Sequence, residues 1–234
     1  MSNLDRVRQA AVRLFAERGF AATGIREIGK AVGLNSGTLY HYASGKEELL
    51  VGIMRAGMEE LLRVGREAVG LSTEPTVQLG RLVVAHVTME AVNPLTSTVN
   101  DREIRSLTGG NLVAMVEMRD EYEALFQGVL EEGVRRGDFR ITDVGVTRLA
   151  LVEMCNGVAH WFRPGGRLSI SQVQDLYLEL ACRLVGARAV VRAECGPEVR
   201  VSMLGSEPRD TAAEGPGEAA GAPAVVGAGG AERP

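Results

Sequence analysis

The stretch Ile25-Arg26-Glu27-Ile28-Gly29-Lys30-Ala31-Val32-Gly33-Leu34-Asn35-Ser36-Gly37-Thr38-Leu39-Tyr40-His41 sets two short amphipathic runs on either side of a glycine-centred turn. The first run reads as a helix from about Gly24 to Ala31 with Thr23 as its N-cap. Val32-Gly33-Leu34 then reverses the chain, and a second helix runs from about Asn35 to His41. Two helices joined in this way form a helix-turn-helix, whose second helix is shaped to enter a major groove. Ile25, Ile28, Ala31, Leu34 and Leu39 would seal its small core. Asn35, Ser36 and Thr38 place short polar side chains where base edges can be reached, and Gly37 lets the backbone approach the duplex. Tyr40, His41, Tyr42 and Lys46 supply donors for phosphate oxygens, and the Thr23 hydroxyl beside a helix N-terminus offers another phosphate site.

Charge agrees with that reading. Residues 1–46 carry seven basic side chains (Arg6, Arg8, Arg13, Arg18, Arg26, Lys30, Lys46) against three acidic ones (Asp5, Glu17, Glu27), a net +4 in a chain whose total is -4. A basic head on an acidic body suits a nucleic-acid reader carried by a regulatory domain. The N-terminus has no apolar leader, and the stretch from Leu82 to Val92 is broken by His86 and Glu90, so a cytoplasmic protein without a membrane partner is expected. Cys155, Cys182 and Cys195 have no metal-ligand spacing, and neither a metal nor a cofactor is expected.

Helical periodicity continues along the chain, and no segment alternates as a strand does, which predicts an all-α fold of about nine helices. Val7, Ala11, Leu14 and Phe15 form one stripe, closed by Gly19 with Phe20 folding back on Phe15. Ser44-Gly45-Lys46-Glu47 reads as a capping box opening a long helix. Further helices are expected at Thr76 to Val92, Leu95 to about Leu107, Asn111 to about Arg136 and Asp143 to Phe162. A second capping box, Ser169-Ile170-Ser171-Gln172, starts the last helix. The resulting organisation is a head over 1–48, a helical body over 49–187 and a disordered tail over 188–234, the last part poor in large apolar groups.

Phe15-Ala16-Glu17-Arg18-Gly19-Phe20, Thr23, Ile25, Glu27-Ile28, Ala31-Val32-Gly33-Leu34, Ser36-Gly37-Thr38-Leu39-Tyr40 and Lys46-Glu47-Glu48-Leu49 together resemble the tetracycline-repressor family over residues 4–50. The resemblance implies a DNA-binding head with Thr23, Ser36, Thr38, Tyr40, His41 and Lys46 as contacts. It also implies a C-terminal effector-binding and dimerisation domain whose last two helices pair with their mates in a four-helix bundle. Gly29 departs from the family's usual Ala and weakens the second helix by about 1 kcal/mol unless something compensates. A homodimer would set two heads on a palindromic operator in double-stranded DNA.

In the body, Met89, Met115, Met118, Tyr122, Phe126, Met154 and Trp161, with Asn100 and His160 as polar contacts, are the candidate lining of an effector pocket. His160-Trp161-Phe162-Arg163-Pro164-Gly165-Gly166 resembles a subgroup of these regulators tied to fatty-acid or steroid catabolism, which implies an acyl-CoA effector. Arg102, Arg105 or Arg163 would then meet its phosphates. The alternative is a multidrug-efflux repressor with a promiscuous aromatic pocket, which the 4% aromatic content disfavours. An enzyme is disfavoured because the chain has three histidines and no HExxH, GxSxG or phosphate-binding loop.

Overall fold

The computed structural model describes residues 2–204, the Ser36 side chain excepted. Over these residues the chain is all-α: α1 (Asn3–Arg18), α2 (Ile25–Ala31), α3 (Ser36–Tyr40), α4 (Lys46–Gly70), α5 (Pro75–Val92), α6 (Pro94–Arg102), α7 (Gly109–Arg136), α8 (Val144–Asn156), α9 (Val158–Trp161) and α10 (Ile170–Leu184). Two single 3₁₀ turns, Glu103–Ser106 and Arg192–Cys195, complete it. The helix expected from Asp143 to Phe162 is divided into α8 and α9 because the backbone tightens at Gly157, where the His160 N–H turns to the Gly157 carbonyl.

Local chemistry sets most helix ends. Ser2 and Asp5 form a capping box on α1, and Ser169 with Gln172 forms the one expected on α10. α1 stops at Gly19, whose φ of 84° suits glycine and whose N–H donates to the Phe15 carbonyl, with the Phe15 and Phe20 rings 5.4 Å apart. Two expected caps are corrected. The N-cap of α2 is Gly24, not Thr23, because the Glu27 carboxylate accepts from the Gly24 N–H at 2.8 Å. α4 begins from Gly45, and the Ser44 N–H donates to Glu48 rather than to a box with Glu47.

α5 is the spine of the body. It packs on α4, α7, α8 and α10 and buries Leu79, Leu82, Val83, Val87 and Met89. Such all-round burial explains why its sequence is apolar on every face. The head joins this body through the continuous α4 and through packing of α1 on α6. A hydrogen bond from the Phe20 N–H to Glu103 Oε1, at 3.0 Å, adds a third tie.

Residues 188–204 correct the expectation of disorder from 188 onward. They form a strap across α4, α5 and α10 that buries Val190, Cys195 and Val199. The order comes from side chains elsewhere in the chain. Arg81 donates to the carbonyls of Ala68, Cys195 and Pro197. Glu60 accepts from the Ser202 N–H at 2.6 Å, and Asn93 donates to the Ser202 carbonyl and accepts from the Leu204 N–H. The rest of the expected tail, residues 205–234, lies outside the described residues.

Asn93→Ala removes both side-chain ties from a buried position and should cost about 1–3 kcal/mol in urea denaturation. Hydrogen exchange should quicken at Leu204, whose N–H loses its Asn93 acceptor, and stay unchanged at Cys195. Equal exchange at Leu204 in parent and variant would show that this end of the strap is held by something else.

Candidate functional site: a helix-turn-helix head and a polar cleft

The turn between α2 and α3 closes tightly. Gly33 has a φ of 72°, the Leu34 N–H donates to the Gly29 carbonyl, and Arg6 on α1 donates to the Val32 carbonyl at 2.9 Å. Gly29 is explained by this packing: a Cβ there would stand 3.1 Å from both the Leu34 carbonyl oxygen and Leu39 Cδ2. The helix propensity lost at this position is exchanged for close approach of α2 and α3.

α3 presents its N-terminal end outward. Asn35 caps it, its Oδ1 accepting from the Thr38 N–H at 2.8 Å and from the Thr38 hydroxyl at 3.0 Å. Gly37 and His41 are exposed, Tyr40 is 54% exposed, and Tyr42 is half-buried with its hydroxyl accepting from Asn3. The Ser36 side chain lies outside the described part of the structure.

Two residues expected to touch phosphates are engaged internally. Thr23 is 1% exposed, and its hydroxyl donates to the Gly19 carbonyl at 2.8 Å. Lys46 donates to the carbonyls of Phe20 at 2.8 Å, Ala21 at 3.4 Å and Thr23 at 3.1 Å, with its ammonium 4.3 Å from the centre of the Phe20 ring. An ammonium has three protons, and all three are committed. Conversely, Arg26 and Lys30 on α2 are exposed and take part in no ion pair among the described residues. Sequence reading counted them only as charge; their i, i+4 spacing on the outer face of α2 was the signal.

In the body, a cleft partly open to solvent lies among α4, α5, α6, α7, α8 and α9. Of the expected lining, the structure brings Met89, Asn100, Tyr122 and His160 together there. Met115 and Phe126 are instead fully buried in the core, and Met118, Met154 and Trp161 lie outside the lining. Trp161 is 47% exposed and sits beside Tyr177. The cleft is also more polar than a Met-rich pocket would be, since Glu90, Asp101, Arg119, Glu123, Glu153 and Asn156 reach its wall.

Its inner wall is organised by His86, which is completely buried. The imidazole Nε2 is 3.0 Å from Asn156 Oδ1 and 3.6 Å from Glu90 Oε1, and the ring meets Tyr122 edge-on with centroids 5.3 Å apart. Burial acts to lower the His86 pKa, but the nearby Cys155 sulfur and the Glu90 carboxylate outweigh it and raise the value to about 10. His86 and Glu90 are an i, i+4 polar pair inside an otherwise apolar helix, a pattern that the sequence displays and that reading for methionines passed over. A second groove, lined by Arg102, His160, Phe162 and Arg163, shares His160 with the cleft and opens beside α1.

His86 holds its proton more tightly folded than unfolded. Its contribution to stability is therefore complete below pH 6.5, the ordinary value, and is lost as pH rises through about 10. His86→Gln should remove this component, so that urea denaturation midpoints fall less between pH 6.5 and 10 than those of the parent. Parallel pH curves for the two proteins would show that His86 is not a buried cation.

The family model for bacterial regulatory proteins of the tetR family matches residues 7–53, and that for the tetracyclin repressor-like C-terminal domain matches residues 72–185. The HTH-type transcriptional repressor KstR2 of Rhodococcus jostii is 31% identical over 172 residues, 73% of this chain and 84% of that protein. The fatty acid metabolism regulator protein of Bacillus subtilis is 24% identical over 131 residues, 56% of this chain and 68% of that protein. The structure of the ketosteroid transcriptional regulator KstR2 of Mycobacterium tuberculosis superposes with a TM-score of 0.73 at 26% identity, over 79% of this chain and 94% of that one. Head, body and sequence agree, and the chain belongs to the tetR family of bacterial regulatory proteins.

Proposed function

We propose that this protein is a homodimeric transcriptional repressor, working in the cytoplasm, that holds a palindromic operator and releases it when an acyl-CoA thioester enters the cleft. The observation that carries the reading is that cleft and head share their supports. Gly57, Met58 and Leu61 of α4 line the cleft, and Lys46 at the start of the same helix is bonded to the turn before α2. Ser97, Asn100 and Asp101 of α6 line it too, and Glu103 just beyond α6 receives the Phe20 N–H. An occupant that moves α4 against α6 therefore reorients the head, and a dimer converts that into a changed separation of two recognition helices.

Residues 2–48 act in this reading as the head and 49–187 as the effector-binding and dimerisation body. The dimer face is α8 with α10. Leu176, Leu180 and Leu184 recur every fourth residue and are close to half exposed, while Val173, Leu178 and Ala181 of the same helix are buried in the protomer. Val146 and Leu149 add exposed apolar surface on α8. A second copy covering both helices buries this patch, as a two-fold interface requires. In this reading Arg102, exposed on the groove beside the cleft, meets the phosphates of a coenzyme A moiety, with Arg163 near it although its guanidinium also donates to the Phe162 and His160 carbonyls. That similar proteins are a fatty acid metabolism regulator and a ketosteroid transcriptional regulator supports an effector drawn from lipid or steroid metabolism.

Fluorescence anisotropy on the DNA upstream of the protein's own coding sequence, with and without a panel of acyl-CoA thioesters, tests the proposal. Tight binding released by one thioester supports it; binding that no thioester disturbs removes the acyl-CoA effector. Leu180→Glu should sediment as a monomer and lose at least tenfold in operator affinity, and a dimer of unchanged affinity would place the interface elsewhere. Arg26→Ala and Lys30→Ala should each reduce the slope of log affinity against log salt by about one, whereas Thr38→Ala should change which sites are preferred. A salt slope unaltered in both basic variants would remove α2 from the phosphate contacts.

A further inference from the structure

The inner end of the cleft is not built for a bare hydrocarbon. Three residues that line it each hold a buried polar atom with no hydrogen-bond partner among the described residues: His86 Nδ1, Tyr122 Oη and Asn100 Oδ1. Such atoms are uncommon in folded proteins and mark either lost stability or a site awaiting a partner. All three residues line the one cleft: Tyr122 meets the His86 ring edge-on, and Asn100 stands on α6 opposite α4. Asn100 reaches the cleft because α4 has a glycine opposite: a Cβ on Gly57 would stand 2.3 Å from Asn100 Nδ2.

The chemistry of the three atoms is complementary. Tyr122 carries a hydroxyl proton with no acceptor. His86 directs Nε2 at Asn156 and Glu90, which leaves Nδ1 as the ring nitrogen still to be matched. Asn100 Oδ1 is an acceptor without a donor. An alkyl chain lying here would leave all three unsatisfied. Around them Met58, Leu61, Met89 and Val152 supply apolar wall for the remainder of the occupant.

We infer that the cleft selects effectors whose buried end is oxygenated, with one oxygen accepting from Tyr122 and a hydroxyl donating to Asn100. The inference rests on the reading above that the effector occupies this cleft, and it narrows the class from acyl groups in general to hydroxy- and oxo-acyl groups. Sites built to hydrogen-bond an oxygen discriminate strongly against the analogue that lacks it, because their own polar groups are then left unpaired.

The test compares octanoyl-CoA with its (ω−1)-hydroxy and (ω−1)-oxo derivatives by isothermal titration calorimetry on the full chain, and repeats the comparison with the three free acids. An oxygenated thioester should bind at least about tenfold more tightly than octanoyl-CoA. Tyr122→Phe should abolish that preference, so that the variant binds oxygenated and plain thioesters alike. The Tyr122 hydroxyl has no hydrogen-bond partner among the described residues, so this variant should fold as stably as the parent, and urea denaturation checks that it does. Gly57→Ala, which displaces Asn100, should reduce the preference for the hydroxy compound more than for the oxo compound. Equal affinities for the three thioesters, or a preference that survives in Tyr122→Phe, would overturn the inference and leave the thioester reading intact. If no thioester binds, that reading falls and the free acids decide. A Tyr122-dependent preference for an oxygenated acid then upholds the inner site, and its absence overturns it.

Discussion

The ammonium of Lys46, with its protons on the carbonyls of Phe20, Ala21 and Thr23, is the constraint on which the molecule depends. Packing of α1 on α4 and α6 and the Phe20–Glu103 bond hold the head on the body, and Lys46 binds the first residue of α4 to the turn that orients α2 and α3. Charge-assisted hydrogen bonds from one cation to three carbonyls are strong and directional enough to carry a displacement of α4. The same helix then meets the cleft at Gly57, Met58 and Leu61 and the strap at Glu60. Arg63 and the Ser202 N–H hold the Glu60 carboxylate at a pKa of about 2, so this clasp stays ionised at any physiological pH.

Helices 4 and 6 thus form a linkage between two chemical environments that have no contact of their own. At one end are exposed donors on α2 and α3; at the other is a cleft with unsatisfied polar atoms. The strap of residues 188–204 lies beyond the region matched by the C-terminal family model and braces α4 from another side. In the proposed effector response α4 is the lever, and a strap that stiffens it raises the share of an effector's binding energy that reaches the head.

Much of this was legible in the sequence where the physics is local. The Ser169–Gln172 box, the Gly19 stop with its Phe15–Phe20 contact and the Gly33 turn depend on residues a few positions apart, and each stands where its residues place it. What was not legible depends on partners distant in the chain. Thr23 and Lys46 have the chemistry of phosphate ligands, and only the fold shows that carbonyls of the same head already occupy them. The strap carries almost no periodic signal because Arg81, Glu60 and Asn93 order its backbone. Met115 and Phe126 follow the same helical spacing as Met89 and Tyr122, and spacing does not separate core from cleft. His86 and Glu90 could have been found, since a polar pair one turn apart in the apolar Leu79–Ala91 run demands a reason.

The central claim is that two copies of this chain read DNA as a two-fold unit. Selection of random double-stranded DNA by the purified full-length protein, followed by sequencing, tests it most directly. The expected result is one enriched inverted repeat, with half-site centres about one helical turn or a multiple of it apart. Enrichment of a lone asymmetric half-site, or of no sequence at all, would contradict it.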